Sequence, residues 1–124
     1  MNEYQIKNNN FNLEERTAKF GQEIILFAKL IPENTITRPL INQLIKSGTS
    51  VGANYCEADE AESKRDFIHK IGLCKKEIKE VRHWLRMIIV AIPELKEKAR
   101  QLWKEARELN LIFSAIIRSA KEKK

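Results

Sequence analysis

The chain has 124 residues, of which 43% are apolar and 32% charged, and it contains only four Gly and three Pro. This length suits one core rather than two independent ones. The scarcity of turn-forming residues disfavours sandwiches and barrels. No apolar run approaches the ~18 residues of a membrane span, and the N-terminus lacks the apolar core of a signal peptide. We therefore expect a single cytoplasmic all-α domain over residues 1–124, without a membrane association and with flexible ends at residues 1–11 and 121–124.

The formal net charge of +6 is distributed unevenly along the chain. Residues 1–63 carry 6 Lys/Arg and 9 Asp/Glu, a net −3, whereas residues 64–124 carry 17 and 8, a net +9. Such an asymmetry indicates either an anionic partner for the C-terminal half or simply a pair of well-solvated helices. Charge alone leaves both interpretations open.

The first predicted helix begins at Asn12, which forms a candidate N-cap and capping box with Glu15. The helix is expected to end at Pro32. Its apolar stripe recurs at steps of three and four residues, the spacing of one helix face. The stripe consists of Leu13, Thr17, Phe20, Ile24, Phe27 and Ile31.

The second predicted helix begins around Pro39, a residue favoured in a first turn. Gly48 and Gly52 each cost ~1 kcal/mol relative to Ala inside a helix. Small residues four apart nevertheless allow another helix to approach closely. The predicted core positions are Leu40, Leu44, Ser47, Val51, either Asn54 or Tyr55, and Ala58.

The third and fourth predicted helices have the most regular apolar stripes. Ser63 and Asp66 form a candidate cap for the third helix. Its stripe consists of Phe67, Ile71, Cys74, Ile78, Val81, Leu85, Ile88 and Ile92. After Pro93 the fourth stripe consists of Leu95, Ala99, Leu102, Ala106, Leu109, Phe113, Ile116 and Ala120. Four such stripes joined by short turns predict an antiparallel up-down-up-down four-helix bundle, and the prolines argue against one long coiled coil.

The sequence offers little for metal or cofactor chemistry. His69 and His83 are fourteen residues apart on one helix, ~21 Å along its axis, so they cannot share an ion. Zinc-binding spacings and a phosphate-loop motif are absent. Cys56 and Cys74 are expected to lie too far apart for a disulfide and to be core thiols. We expect no metal, no cofactor and no catalytic site.

One enzymatic alternative comes from small helical ribonucleases of the HEPN class, which this chain resembles in size and fold class. Those ribonucleases carry an Arg and a His with four to six residues between them. Here Arg65 and His69 enclose only three residues, one short of the motif, and the wider context does not match. We therefore favour a binding protein over an enzyme.

A row of basic side chains on the third helix is the strongest functional signal. At ~100° per residue, five of these side chains fall within about 60° and extend over roughly 33 Å. Such a row matches the closely spaced phosphates of a nucleic acid. The alternative is a solvated face on which Glu77 and Glu80 partly neutralise the cations, for example through a Lys76–Glu80 pair. The predicted nucleic-acid-binding residues are Lys64, Arg65, Lys75, Lys76, Lys79, Arg82 and Arg86.

Trp84 lies outside the core stripe of the same helix. It is about 90° from the nearest edge of the stripe, so we expect it to be exposed in a monomer. Exposed tryptophans often mark a partner surface. Trp84 is therefore the candidate residue for an oligomer interface.

Residues 50–84, SVGANYCEADEAESKRDFIHKIGLCKKEIKEVRHWL, resemble the signature of the 23S rRNA intervening-sequence protein family, also called the four-helix bundle protein family. The family pattern is roughly S-V-x-A-N-I-x-E-G, a short acidic turn and S-x-x-D-F before a long helix. The matching residues are Ser50, Val51, Ala53, Asn54, Glu57, Ser63, Asp66, Phe67 and Glu77. Tyr55 and Ala58 depart from the common Ile and Gly. The resemblance covers about residues 13–90.

This resemblance implies a small bacterial bundle that assembles as a homopentamer with a positively charged surface. Accessory proteins of diversity-generating retroelements share this architecture and are associated with nucleic acid and a reverse transcriptase. The leading hypothesis is therefore a non-enzymatic RNA- or DNA-binding protein. A scaffold or adaptor for a protein partner, such as a reverse transcriptase, is the alternative, and a membrane-surface role ranks third.

The resemblance also singles out four polar residues, Asn54, Glu57, Asp66 and Glu77. We interpret them as structural. Glu57 is expected to form a buried pair with Lys64 or Arg65 across the turn and to help cap the third helix, fixing the register of the two helices.

Overall fold

The computed structural model describes residues 12–123, and none of them lies in a strand, so the predicted all-α class is confirmed. The four helices are α1 (Leu13–Ala28), α2 (Thr37–Asp59), α3 (Lys64–Ala91) and α4 (Lys96–Glu122), with a 3-10 turn at Pro93–Leu95. No helix in this part of the chain is long and apolar enough to cross a membrane. The expected flexibility of residues 1–11 and 124 lies outside the described residues, while Lys121 and Glu122 continue α4.

Both predicted N-caps are present. The Asn12 side chain accepts a hydrogen bond from the Glu15 N–H at 3.2 Å and begins α1. The Ser63 hydroxyl accepts one from the Asp66 N–H at 3.0 Å and begins α3. Each cap satisfies an N–H group that has no partner inside its helix, which is why these residues determine where the helices start.

The connection between α1 and α2 differs from the prediction at both ends. Helix α1 ends at Ala28 because the N–H groups of Leu30 and Ile31 turn to carbonyls three residues back. Helix α2 begins at Thr37, ahead of Pro39, because the Asn34 side chain accepts hydrogen bonds from the Ile36 and Thr37 N–H groups, both at 2.9 Å. A local side-chain turn therefore takes the role that the sequence analysis gave to proline.

The predicted stripes form the core between the four helices. Nearly every stripe position is buried, and of the pair left open on α2 it is Tyr55 that is buried and Asn54 that is half-buried. The exceptions are Leu40, Ile92 and Leu95, which are half-buried because they lie near the helix ends. The largest fully buried side chains include Phe20, Ile24, Leu44, Ile71, Ile78, Leu85, Leu109, Phe113 and Ile116.

Successive helices are antiparallel, because the residue numbers in their contacts rise along one helix and fall along the next. On α1 and α2, Thr17 lies beside Gly52 and Ile24 beside Gly48. The contacts of α2 with α3, Glu57 with Lys70 and Val51 with Cys74, follow the same rule. So do the contacts of α3 with α4, Arg82 with Trp103 and Lys64 with Lys123. This arrangement is compatible with the predicted up-down-up-down order.

The glycines of α2 allow α1 to approach closely. A Cβ atom added at Gly48 would lie 2.8 Å from both Cγ1 and Cγ2 of Ile24, closer than packed carbons tolerate. A Cβ atom at Gly52 would lie 3.4 Å from the Thr17 carbonyl oxygen. The close approach expected from these two glycines is therefore present, and it is tightest at Gly48.

The two cysteines are free and have different environments. Cys74 is buried, its thiol donates to the Val51 carbonyl at 3.6 Å, and burial raises its pKa to about 12. The expectation of a core thiol is wrong for Cys56, which is exposed with its Sγ 4.0 Å from a Glu14 carboxylate oxygen. Cys56 follows the buried Tyr55 by one residue, a step of about 100° that takes it away from the core.

Candidate nucleic-acid interface

Positive and negative charges are separated around α3. Counted from Lys75 at ~100° per residue, its acidic residues lie about 140–200° away, on the side that faces α2. Five of the predicted basic residues lie within about 40° of Lys75, on the side that faces α4: Lys64, Lys75, Lys79, Arg82 and Arg86. Arg65 and Lys76 lie about 80–100° away, on the solvent-facing side, so the structure does not bring them into this row. Arg65, Lys76, Lys79 and Arg86 are exposed, and Lys64, Lys75 and Arg82 are half-buried.

Two contacts place the basic row of α3 along the seam between α3 and α4. The Arg82 guanidinium carbon lies 4.6 Å from the centroid of the Trp103 ring on α4. At the other end of the seam, the Lys64 ammonium donates to the Lys123 carbonyl oxygen. The sequence analysis did not single out Trp103, because the pattern of a single helix does not reveal which residue of its neighbour it meets.

Helix α4 adds a second basic row along the same seam. Counted from Trp103, five exposed cations of α4 fall within about 60°. The same angular positions, computed for α4 from the sequence, would have identified these five cations. Arg100 has a carboxylate neighbour, Glu97, at 3.5 Å. We call the two rows the basic face; its residues are Lys64, Lys75, Lys79, Arg82 and Arg86 on α3, and Lys96, Arg100, Arg107, Arg118 and Lys121 on α4.

A groove of about 300 Å³ opens within the basic face and is lined by Lys79, Arg82, His83, Arg86 and Trp103. We call it the Arg82–Trp103 groove. In the part of the chain that the structure describes, none of its three Lys and Arg side chains has a carboxylate oxygen within 4.0 Å. Its positive charge is therefore not neutralised by a direct ion pair, and an aromatic ring lies beside it.

The proposed neutralisation of the row by acidic neighbours is not observed. Lys76 and Glu80 form no ion pair among residues 12–123. Glu77 is half-buried on the side of α3 that faces α2, and burial, followed by the nearby Glu80, raises its pKa. Lys76 and Lys46 act on the pKa of Glu77 in the opposite direction but to a smaller extent. Among the described residues, neither Glu77 nor Glu80 lies within 4.0 Å of a cation of the basic row.

Trp84 is half-buried, so the expectation of an exposed indole is wrong. Its ring packs against the margin of the core and lies 4.8 Å from the His83 ring in an edge-on arrangement. The core-facing surface of a bundle helix is wider than its central stripe, and a large indole at the edge reaches that surface. The indole N–H is buried and has no acceptor among the described residues.

Three of the four residues singled out by the resemblance take part in hydrogen bonds or ion pairs within α2 or near the start of α3. The Asn54 amide donates to the Ser50 carbonyl at 2.9 Å, while Asp66 supplies the N–H bound by the Ser63 cap. Glu57 pairs with Lys70 at 2.6 Å, and hydrogen bonding to Glu57 raises the pKa of Lys70.

The predicted pairing of Glu57 with Lys64 or Arg65 is wrong, and so is the expectation that the pair is buried. The Glu57 side chain is 57% exposed. The residues between α2 and α3, from 60 to 63, set a register in which position 57 faces position 70 instead of about 66. Neither Arg65 nor His69 is buried, and no group of three metal-ligating side chains occurs within residues 12–123.

Four packed helices with cations collected along one seam define a basic four-helix-bundle protein. The family described as 23S rRNA-intervening sequence protein matches residues 9–115, and the chain belongs to that family. The chain is also similar to a crystal structure of a protein of unknown function from the S23 ribosomal protein family of Bacteroides thetaiotaomicron. The TM-score is 0.77 at 29% identity, over 84% of this chain and 96% of that one. No curated protein matches the chain.

Proposed function

We propose that this protein is a non-enzymatic, oligomeric module of the bacterial cytoplasm that binds RNA or DNA through phosphate contacts along the basic face. The observation that carries the proposal is the convergence of two basic rows, one from α3 and one from α4, on a single seam. Cations that merely kept the protein soluble would have no reason to collect on one side of the bundle.

The dimensions of the basic face suit a nucleic-acid backbone. The α3 row extends over roughly 33 Å, and a duplex carries one phosphate charge per ~1.7 Å of its axis, so several phosphates lie within reach. Phosphate contacts position a nucleic acid without reading its sequence. We therefore expect binding with little sequence preference and a strong dependence on salt.

The family description favours RNA over DNA as the first ligand to test, since it refers to intervening sequences of 23S rRNA. Membership of a family with this fold does not determine function, so this preference remains part of the proposal. The charges of the basic face would serve either polymer.

Self-association belongs to the same proposal, with a homopentamer as the expected assembly. Four large apolar side chains, Leu26, Leu30, Ile36 and Val90, are exposed at the end of the bundle where α1 and α3 terminate. Their exposed fractions range from 49% to 79%, which supports contact with another surface. Trp84 is half-buried, so in this proposal it would contribute to an oligomer interface only through the part of its ring that remains exposed.

A protein scaffold is the second candidate function, and a specific groove favours it. Leu26, Leu30 and Leu102 line a cavity of about 430 Å³ between α1 and α4, with Glu23 and Lys98 at its edge. An apolar groove with charged margins suits a protein segment better than a phosphate backbone. In this alternative the basic face would only maintain solubility.

Charge reversal with a matched control tests the proposal. We expect Lys75→Glu/Lys79→Glu/Arg82→Glu to abolish binding of a mixed-sequence RNA and a duplex DNA. Lys29→Glu/Arg38→Glu/Lys46→Glu makes the same change in net charge at exposed positions of the chain outside the basic face, and should retain most of the affinity. Fluorescence anisotropy measures binding, and light scattering verifies that all three proteins have the same oligomeric state.

Two outcomes would contradict the proposal. One is an absence of wild-type binding below about 0.1 mM near physiological salt, where even non-specific binders are detected. The other is an equal loss of affinity in both triple variants, which would show that only the total charge matters. Either result would favour the scaffold, to be pursued by capture of a protein partner.

A further inference from the structure

The Arg82–Trp103 groove differs from the rest of the basic face because it combines an aromatic ring with cations. Lys79, Arg82 and Arg86 contribute positive charge from α3, and Trp103 contributes its ring from α4. Phosphate binding alone requires no aromatic ring. A ring held beside cations is typical of proteins that bind unpaired bases as well as phosphates.

Arg82 is held in place by Trp103. Its guanidinium carbon lies 4.6 Å from the ring centroid, within the range of a cation–π contact. A guanidinium group is planar and presents its donors in a fixed fork, so this contact limits its motion without occupying its donors. Among the described residues no carboxylate lies within 4.0 Å of Arg82. Its donors are therefore not taken up by a carboxylate, and Arg82 lines the open groove.

The size of the groove limits what can enter it. Its volume of about 300 Å³ lies at the lower end of the range of small-ligand sites, which suits a unit the size of one nucleotide. A duplex keeps its bases stacked and paired and presents only phosphates to such a groove. A single strand can place an unstacked base within it.

We propose that the Arg82–Trp103 groove binds one unpaired nucleotide of a single-stranded nucleic acid. The base stacks on the outer face of the Arg82 guanidinium, which Trp103 supports from behind, and Lys79 and Arg86 contact the flanking phosphates. This inference rests on the proposed nucleic-acid binding and adds that the preferred ligand is single-stranded.

Oligonucleotides of equal length and charge separate base contacts from phosphate contacts. We would compare a single-stranded DNA with an abasic strand that has the same number of phosphates, using fluorescence anisotropy. Stacking of one base is expected to make the base-bearing strand bind about fivefold or more tightly than the abasic strand. The same strand annealed to its complement should bind more weakly than the single strand.

Two substitutions test whether the preference for the base-bearing strand over the abasic strand arises in this groove. Arg82→Lys keeps the charge but removes the planar group, so we expect the two strands to bind equally while the salt dependence is retained. Trp103→Leu should have the same effect, because the Arg82 guanidinium loses the aromatic ring that positions it. Lys75→Gln, outside the groove, should weaken both strands to the same extent and leave their ratio unchanged. If Trp103→Leu does not fold, Arg82→Lys carries the test alone.

The outcomes distinguish the inference from the proposed function. Equal binding of the base-bearing and abasic strands to the wild type would overturn the inference and leave phosphate binding intact, as would tighter binding of the duplex. A base preference that survives Arg82→Lys would overturn the assignment to this groove. Failure of these three DNA ligands and of a mixed-sequence RNA to bind would overturn the proposed function itself.

Discussion

At the scale of single residues, two glycines of the bundle have opposite surroundings. An added Cβ at Gly48 would lie 2.8 Å from two carbons of Ile24, whereas an added Cβ at Gly72 would have no atom within 4 Å. Both glycines are in helices, so both carry the same intrinsic cost relative to Ala. Only the packing of α1 against α2 distinguishes them.

We expect Gly72→Ala to raise the free energy of unfolding by about 0.5–1 kcal/mol, because it gains helix propensity without a clash. Gly48→Ala should lower it by about 1–3 kcal/mol, because the methyl group overpacks the contact with Ile24. Urea unfolding followed by circular dichroism measures both changes. Stabilisation by both substitutions would show that α1 and α2 do not approach closely at Gly48.

Glu77 gives a residue-scale prediction with a pH dependence. Burial, followed by Glu80, raises its pKa above the ordinary value, so the stability it contributes is present below that value and is lost as the pH rises through the raised pKa. Glu77→Gln should therefore raise the melting temperature at neutral pH, and the gain should disappear in acid. Glu62→Gln, at an exposed position, is the control for net charge. A greater gain in acid than at neutral pH would contradict this account.

At the scale of helices, a well-formed ion pair between Arg16 and Glu105 joins α1 to α4. The Arg16 guanidinium donates two hydrogen bonds to the Glu105 carboxylate, both at 2.8 Å, and its contact with Glu108 is longer at 3.6 Å. Hydrogen bonding to Glu105 raises the pKa of Arg16. The pair is mostly shielded from solvent, with exposed fractions of 20% and 28%, so it is screened less than a surface pair.

We expect Arg16→Met to lower the free energy of unfolding by about 1–2 kcal/mol, since charged hydrogen bonds contribute more than neutral ones. The loss should appear as faster amide exchange in α1 than in α3. Lys19→Met, one turn along the same helix at an exposed position, should have little effect. Equal effects of the two substitutions would mean that the Arg16–Glu105 pair does not secure α1.

The elements that the sequence predicts well are those determined by local spacing. The caps at Asn12 and Ser63 depend on residues three apart, and the core stripes depend on steps of three and four within one helix. The partners of Glu57 and Trp103 depend on the register between helices, which the turns and the packing determine together. The sequence therefore indicated the basic row of α3 but not its aromatic neighbour on α4.

At the scale of the whole molecule, the charge asymmetry of the sequence becomes a spatial one. The half of the chain with net charge +9 forms α3 and α4, which pack side by side, while the half with net charge −3 contains α1 and α2. Two adjacent helices that share an excess of positive charge produce a directed field that attracts polyanions. The basic face is the part of the molecule where that field should be strongest.

The dependence of RNA affinity on salt tests this central claim most directly. If the basic face neutralises several phosphates, the logarithm of the association constant for a mixed-sequence RNA should fall against the logarithm of salt with a slope of about −3 or steeper. Replacing one cation of the face, as in Lys79→Gln, should make the slope shallower by about 1. A slope near zero, or one that Lys79→Gln leaves unchanged, would contradict the assignment of nucleic-acid binding to the basic face.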